Sequence, residues 1–441
     1  MRRLRAALPV LIFLVWSGLV GGGLLAATLG QGVVPVDFAT YQRAAEALAR
    51  GESPYQTPAE SRAVWRTYHL LDLDLDLRAA YTRGAKSRLP SGATVVRQHP
   101  GPYLYLPTLA LLVGQLRVAP APWEVLDLLA IVGFPLLWLR VAWASWWWLL
   151  LVVASWDVWA TYTGGNVEGL LLAATLLAAR LLWPPRPLGW AAPILAAALI
   201  AFVLLAKPFY ALFFIAFGLI RACSGNDGAR ASRRDLVSVA GLVVLLLAVE
   251  VVRWGPALRA DALGYLAHSL DAQWFVLPVG EQTPMSAWNR TPFQAFIALG
   301  LPAPAAQGGA ALVWALALVM TIWRLRTRRV SFAQAFALAF TLLYLGRPVG
   351  WTLAYLDLVV VVAVWPLLSR ASRVLLLVGA LALLASHWAA LVVTGLGNGL
   401  PLLTLQPADR PFETWLILPL AWALTLWAAT RQPARDTRQG T

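Results

Sequence analysis

The chain has 441 residues, 60% hydrophobic and 13% charged, with a mean hydropathy of +0.67 and a net charge of +14. Soluble domains carry about 25% charged residues, so a water-soluble globular chain is excluded, and a single cysteine, Cys223, excludes an intramolecular disulfide framework. The arginines stand in short clusters between apolar runs rather than on an aromatic-interleaved patch, which argues for membrane topology and against a nucleic-acid partner.

Apolar runs of about 17–23 residues match a helix crossing a hydrocarbon core about 30 Å thick. The first, 8–29, is too long for a signal-peptide core and reads as an uncleaved helix, with Arg2, Arg3 and Arg5 holding the N-terminus on the cytoplasmic side. Residues 31–102 then form a long external loop, which opens on a short amphipathic helix whose Ala44, Ala45 and Leu48 share a face and which ends at Gly51. Three apolar segments follow, 103–118, 124–142 and 144–162. Parity allows only two full crossings among them, so one is re-entrant or interfacial.

Basic clusters at Arg180/Arg186, Arg221 to Arg234, Arg324 to Arg329, Arg370/Arg373 and Arg431 to Arg438 read as cytoplasmic. The pairs 188–206 and 208–221, 236–254 and 306–324, 330–346 and 351–368, and 374–395 and 411–430 satisfy that parity. They leave 291–301 as a short helix on the outer face. The turns at Lys207-Pro208, 255–290, Arg347-Pro348 and 396–410 are then external. The expected fold is all-α: a polytopic cell-membrane protein with one transmembrane domain over 1–441, about twelve crossings, both termini cytoplasmic, and a polar tail from Gln432 to Thr441.

Function must come from the few polar residues at the helix ends. Asp37 lies just past the first helix, where it reads either as a helix cap or as a general base at the membrane surface. Lys207 is one of only two lysines and interrupts two apolar runs. A charge there costs about 2.5–3.5 kcal/mol on insertion scales, so it either snorkels to the interface or holds an anionic head group. Arg347 sits in a short external turn against the charge rule and needs an anion, whether a loop carboxylate or a lipid phosphate. Asn166 and Glu168 open a helix after Gly164-Gly165, and Asn289, Arg290 and Thr291 open the outer surface helix with Trp288 beside them; capping accounts for Asn166 as well as site chemistry does, and is the default reading of Asn289, Arg290 and Thr291. Asp72, Asp74 and Asp76 alternate with leucines as a solvated face would, and His69, His99, His268 and His387 have no ligand spacing, so no metal or cofactor is implied.

These residues give the chain a resemblance to glycosyltransferase family 87, the polyprenyl-phosphate-sugar-dependent membrane transferases of the GT-C superfamily. Asp37-Phe38 with Tyr41, Ala44-Ala45, Leu48, Gly51 and Pro54-Tyr55 resembles the family's opening motif. Tyr103-Leu104-Tyr105-Leu106-Pro107 is similar to the aromatic-proline segment that follows the first loop, Gly165-Asn166 to the Gly-Gln-x-Asn helix start, and Lys207-Pro208 to the Lys-Pro turn. Trp288-Asn289-Arg290-Thr291 and Arg347-Pro348-Val349-Gly350-Trp351 resemble the later external motifs, although Arg347 and Gly350 stand where a Ser-Pro-x-Ser-Trp turn has serines.

The resemblance implies a transferase that moves a hexose or pentose, mannose being the best-known case, from a polyprenyl-phosphate donor to an external lipid or glycan acceptor. It implies Asp37 as the base of one inverting displacement, and Lys207 and Arg347 at the donor phosphate. Tyr41, Tyr55, Tyr105, Asn166, Glu168, Asn289, Arg290 and Trp351 would line the substrates, in contact with membrane lipids and with no cofactor. A lipid-linked-sugar flippase and a catalytically silent sugar-lipid binder are the competing classes.

Overall fold

The structure, a computed structural model, describes residues 2–31, 34–55, 87–88, 94–95, 105–142, 146–154, 158, 162, 165–183, 189–224, 229–270, 291–347, 374 and 418–431. It is helical apart from a two-residue antiparallel ladder, β1 (Ser87–Arg88) and β2 (Thr94–Val95), with Ser87 opposite Val95. In chain order the helices are α1 (Arg2–Gln31), α2 (Val36–Ala49), α3 (Pro107–Gln115), α4 (Pro120–Ala142), α5 (Trp148–Ala154), α6 (Glu168–Leu182) and α7 (Ala191–Ala206). They continue as α8 (Ala211–Cys223), α9 (Ala229–Arg253), α10 (Gly255–Leu270), α11 (Pro292–Ala298), α12 (Ala303–Leu325), α13 (Phe332–Gly346) and α14 (Leu418–Arg431).

Among the described residues, four stretches are long and apolar enough to cross a membrane: Ala7–Gly30, Pro120–Arg140, Asp235–Arg253 and Pro304–Leu325. Their outward faces are bare hydrocarbon. Leu11, Val15 and Leu19 of α1, Val244 and Val252 of α9, and Leu316 and Val319 of α12 are all exposed, as lipid-facing side chains must be. The chain is therefore an all-α membrane protein.

Helix α13 is the opposite case. Every residue from Ala335 to Leu345 is buried, the mark of a helix that is apolar all round and surrounded by protein. Its Phe336 and Phe340 meet Phe213 of α8 with ring centroids 5.2 and 4.6 Å apart, and Trp138 of α4 packs on Phe336 at 4.8 Å. Its start is fixed by a capping box: Ser331 Oγ accepts from the Gln334 N–H while Gln334 Oε1 accepts from the Ser331 N–H.

One expectation needs correcting. The 255–290 segment is not a simple turn, because its first part is the 16-residue helix α10. Gly255, at φ +76°, breaks away from α9, and Pro256 at the new helix start precedes Ala257, Leu258, Arg259, Ala260, Ala262 and Leu263, all good helix formers. Apolarity alone could not reveal that helix. Within 103–118 the helix is only Pro107–Gln115, nine residues and about 14 Å of rise, less than half of a hydrocarbon core. It packs on α2, which fits a re-entrant or interfacial segment.

Candidate functional site

Two prolines set the backbone of the two cations. A residue before proline is pushed out of the α region, so a helix running into X-Pro stops at X. Lys207 before Pro208 is extended (φ −134°, ψ 95°) and ends α7; Arg347 before Pro348 is extended (φ −77°, ψ 141°) and ends α13. Each still gives its own N–H to the last turn, Lys207 to Val203 O at 2.8 Å and Arg347 to Leu343 O at 3.0 Å. Both cations thus stand at carbonyl-rich helix C-termini, where the helix dipole favours positive charge.

The two acids occupy the complementary positions. Asp37 is in the first turn of α2 and Glu168 in the first turn of α6, where unpaired N–H groups favour negative charge. Asp37 makes no cap hydrogen bond to its own helix. Its Oδ2 instead accepts from Asn166 Nδ2 at 2.9 Å, while Asn166 Oδ1 accepts from the Glu168 N–H at 3.0 Å. That second bond fixes the orientation of the Asn166 amide, so Asn166 points a donor at Asp37 and leaves Asp37 Oδ1 without a partner among the described residues.

Glu168 is a hub. It is buried, forms an ion pair with Lys207, and accepts from Tyr210 Oη at 2.7 Å. Lys207 therefore does not snorkel to water; its ammonium also lies 5.4 Å from the Tyr105 ring. Arg347 is more unusual. It is 1% exposed, none of Nε, Nη1 and Nη2 has a hydrogen-bond partner among the described residues, and the guanidinium lies 4.1 Å from the Tyr344 ring centroid and 5.5 Å from that of Phe209. Two aromatic faces offset part of the desolvation of a buried cation. Among the described residues, the directional demand of its N–H groups stays unmet.

Asp37 is partly buried, and burial lifts its carboxyl above the free aspartate value; the Asn166 hydrogen bond and the Lys207 charge pull the other way without cancelling it. Tyr41, one turn further along α2, gives its hydroxyl to Tyr105 Oη at 3.0 Å and accepts from the Val167 N–H at 3.2 Å. Tyr55 Oη donates to the Tyr105 carbonyl at 3.1 Å. The tyrosines thus brace α2 against the start of α6.

Close approach at that start is set by Gly165. It has φ +66°, and a Cβ there would come within 2.6 Å of Pro35 Cβ and 3.3 Å of Phe38 Cβ; Trp123 Nε1 holds its carbonyl at 2.8 Å. Gly165→Ala is expected to cost about 1–3 kcal/mol, the left-handed backbone penalty plus the collision, and to lower the thermal midpoint in detergent. An unchanged midpoint would show that α2 and α6 are not held together here.

The structure thus brings Asp37, Tyr41, Tyr55, Tyr105, Asn166, Glu168 and Lys207 to one end of the bundle, with the Arg347 charge bearing on Glu168 from α13. Asn289, Arg290 and Trp351 lie outside the described residues. Sequence reasoning missed Tyr210, although it follows Lys207-Pro208 within one turn. It also missed Asp127, whose signal was available as a carboxylate inside an apolar run. Among the described residues, no group of three or more His, Cys, Asp or Glu side chains comes together as metal ligands. Compared with family models, with curated proteins and with solved structures, the chain matches none of them.

Proposed function

We propose that the chain is a polytopic glycosyltransferase of GT-C type, with about twelve crossings and its site on the external face, that moves a sugar from a polyprenyl-phosphate donor to a lipid or glycan acceptor. The acceptor hydroxyl oxygen attacks the anomeric carbon and gives its proton to Asp37. The bond from that carbon to the phosphate oxygen breaks, and its electron pair leaves with the lipid phosphate. One base and a cationic receiver for the leaving phosphate suffice for this chemistry.

The observation that carries the reading is the asymmetry of the site's ends. Among the described residues, Asp37 offers one carboxylate oxygen free of hydrogen bonds, and Arg347 offers a buried guanidinium with no hydrogen-bond acceptor, beside a Lys207 already matched by Glu168. A lone buried arginine is costly unless an anion joins it. A phosphate oxygen pair suits its planar fork.

The test is transfer of radiolabelled mannose from polyprenyl-phosphate-mannose to a membrane lipid extract by the purified protein. Labelled product supports the reading; movement of donor across vesicles without a new glycosidic bond favours a flippase and overturns it. Arg347→Gln is expected to raise the KM for donor roughly ten- to a hundredfold, the equivalent of about 1.5–3 kcal/mol of charged hydrogen bonding. An unaltered KM would take Arg347 out of the phosphate site.

A further inference from the structure

Asp127 is a titratable group that the transfer chemistry leaves unused. It lies on α4 inside the membrane-crossing stretch Pro120–Arg140, is 0% exposed, and neither of its carboxyl oxygens has a hydrogen-bond partner among the described residues. It nevertheless faces the site. A Cβ added at Gly169 would come within 2.9 Å of Asp127 Oδ1, so this carboxyl presses on the first turn of α6 from one side. Asp37 is tied to the same turn through Asn166, whose Oδ1 accepts from the Glu168 N–H. One turn before Asp127, Trp123 bonds the Gly165 carbonyl and packs against Phe38 at 5.2 Å, which locks α4, α2 and the α6 start together. Both carboxyls thus bear on the same helix start.

Their surroundings differ sharply. Asp37 has a hydrogen-bond donor, the nearby Lys207 charge and partial access to water. Among the described residues, Asp127 has none of these. The titratable groups around it are Asp37 from α2, Glu168 from α6 with its charge met by Lys207, Tyr162, and Glu124 on its own helix, which accepts from Thr28 of α1. Helix α13, also packed on α4, has Tyr344 as its one titratable residue before Arg347. None of these supplies a cation to Asp127. An ionised carboxylate buried without donor or cation costs several kcal/mol, and a second negative charge nearby adds to that cost.

We infer that Asp127 and Asp37 form an unequal carboxyl pair that carries one negative charge: Asp37 is the charged member and Asp127 the protonated one. Asp127 is then a positioning residue. Its neutrality allows the Asp37 charge to sit in an apolar setting, and environments that separate two carboxyls in this way assign the base to the charged one. The consequence for transfer rests on the function proposed above; the protonation of the pair does not.

The experiment is infrared spectroscopy of the purified protein in detergent, reading the C=O stretch of protonated carboxyls at neutral pH. Asp127→Asn is expected to lose one such band that Asp37→Asn retains at the same neutral pH. A spectrum unchanged in Asp127→Asn, or a band lost in Asp37→Asn, overturns the inference. Asp127→Glu serves if the Asn variant does not insert, since it should shift the band's position; an unmoved band would count equally against the pair. If transfer is measurable, Asp127→Asn, which keeps a neutral side chain beside Asp37, should retain most of it, and its loss would count against a protonated Asp127. Absence of any transfer would count against the proposed function and leave the infrared result standing.

Discussion

Replacing Asp37 with Asn is expected to cut transfer by about 10²–10⁴-fold, the usual contribution of a positioned general base, with the protein still inserting and still binding donor. The substitution is close to isosteric, and an Asn oxygen can accept the Asn166 hydrogen bond that Asp37 accepts at 2.9 Å, so the packing of α2 against α6 should survive. What is lost is the ability of Oδ1 to take a proton. The pH dependence has a definite sign. Burial raises the Asp37 carboxyl above its free value, and the base form is the ionised one, so transfer should be retained above that raised value and lost as pH falls through it. A rate profile in which the acid limb persists in Asp37→Asn, or a variant as active as wild type, would remove Asp37 from the chemistry.

The parts of this arrangement that are local in sequence are legible in the order of residues alone. Lys207-Pro208 and Arg347-Pro348 announce helix ends because proline acts on its immediate neighbour, and the extended backbone at both cations follows from that. The charge of Asp37 and Glu168 near helix starts is legible for the same reason. What cannot be read locally is pairing over distance. Lys207 meets Glu168 39 positions away, and Asn166 meets Asp37 129 positions away; both depend on how α2, α6 and α7 pack. Asp127 is easily overlooked in the sequence because an acid near the start of an apolar run resembles an ordinary helix start. Only its contact with Gly169 shows which way it faces. Helix α10 is invisible to hydropathy, because its signal is propensity and a glycine break.

Glu168→Gln should be the most damaging single change to stability. Glu168 and Lys207 have side chains 4% and 14% exposed, and the removal of one partner of a buried pair leaves an uncompensated charge, at a cost of about 3–5 kcal/mol. The neighbouring Arg347, already without a hydrogen-bond partner among the described residues, loses the carboxylate whose field it shares. The loss should appear as a large drop in the thermal midpoint of the purified protein. The double variant Glu168→Gln/Lys207→Met separates pairing from function. A pair replaced by neutral groups of similar volume is often no less stable, so the midpoint should recover most of the loss. Transfer should not recover with it, because the site would then keep only the Arg347 charge for the leaving phosphate. Recovery of both would mean that Lys207 serves the fold alone, and recovery of neither would mean that Glu168 holds α6 through Tyr210 rather than through its charge on Lys207.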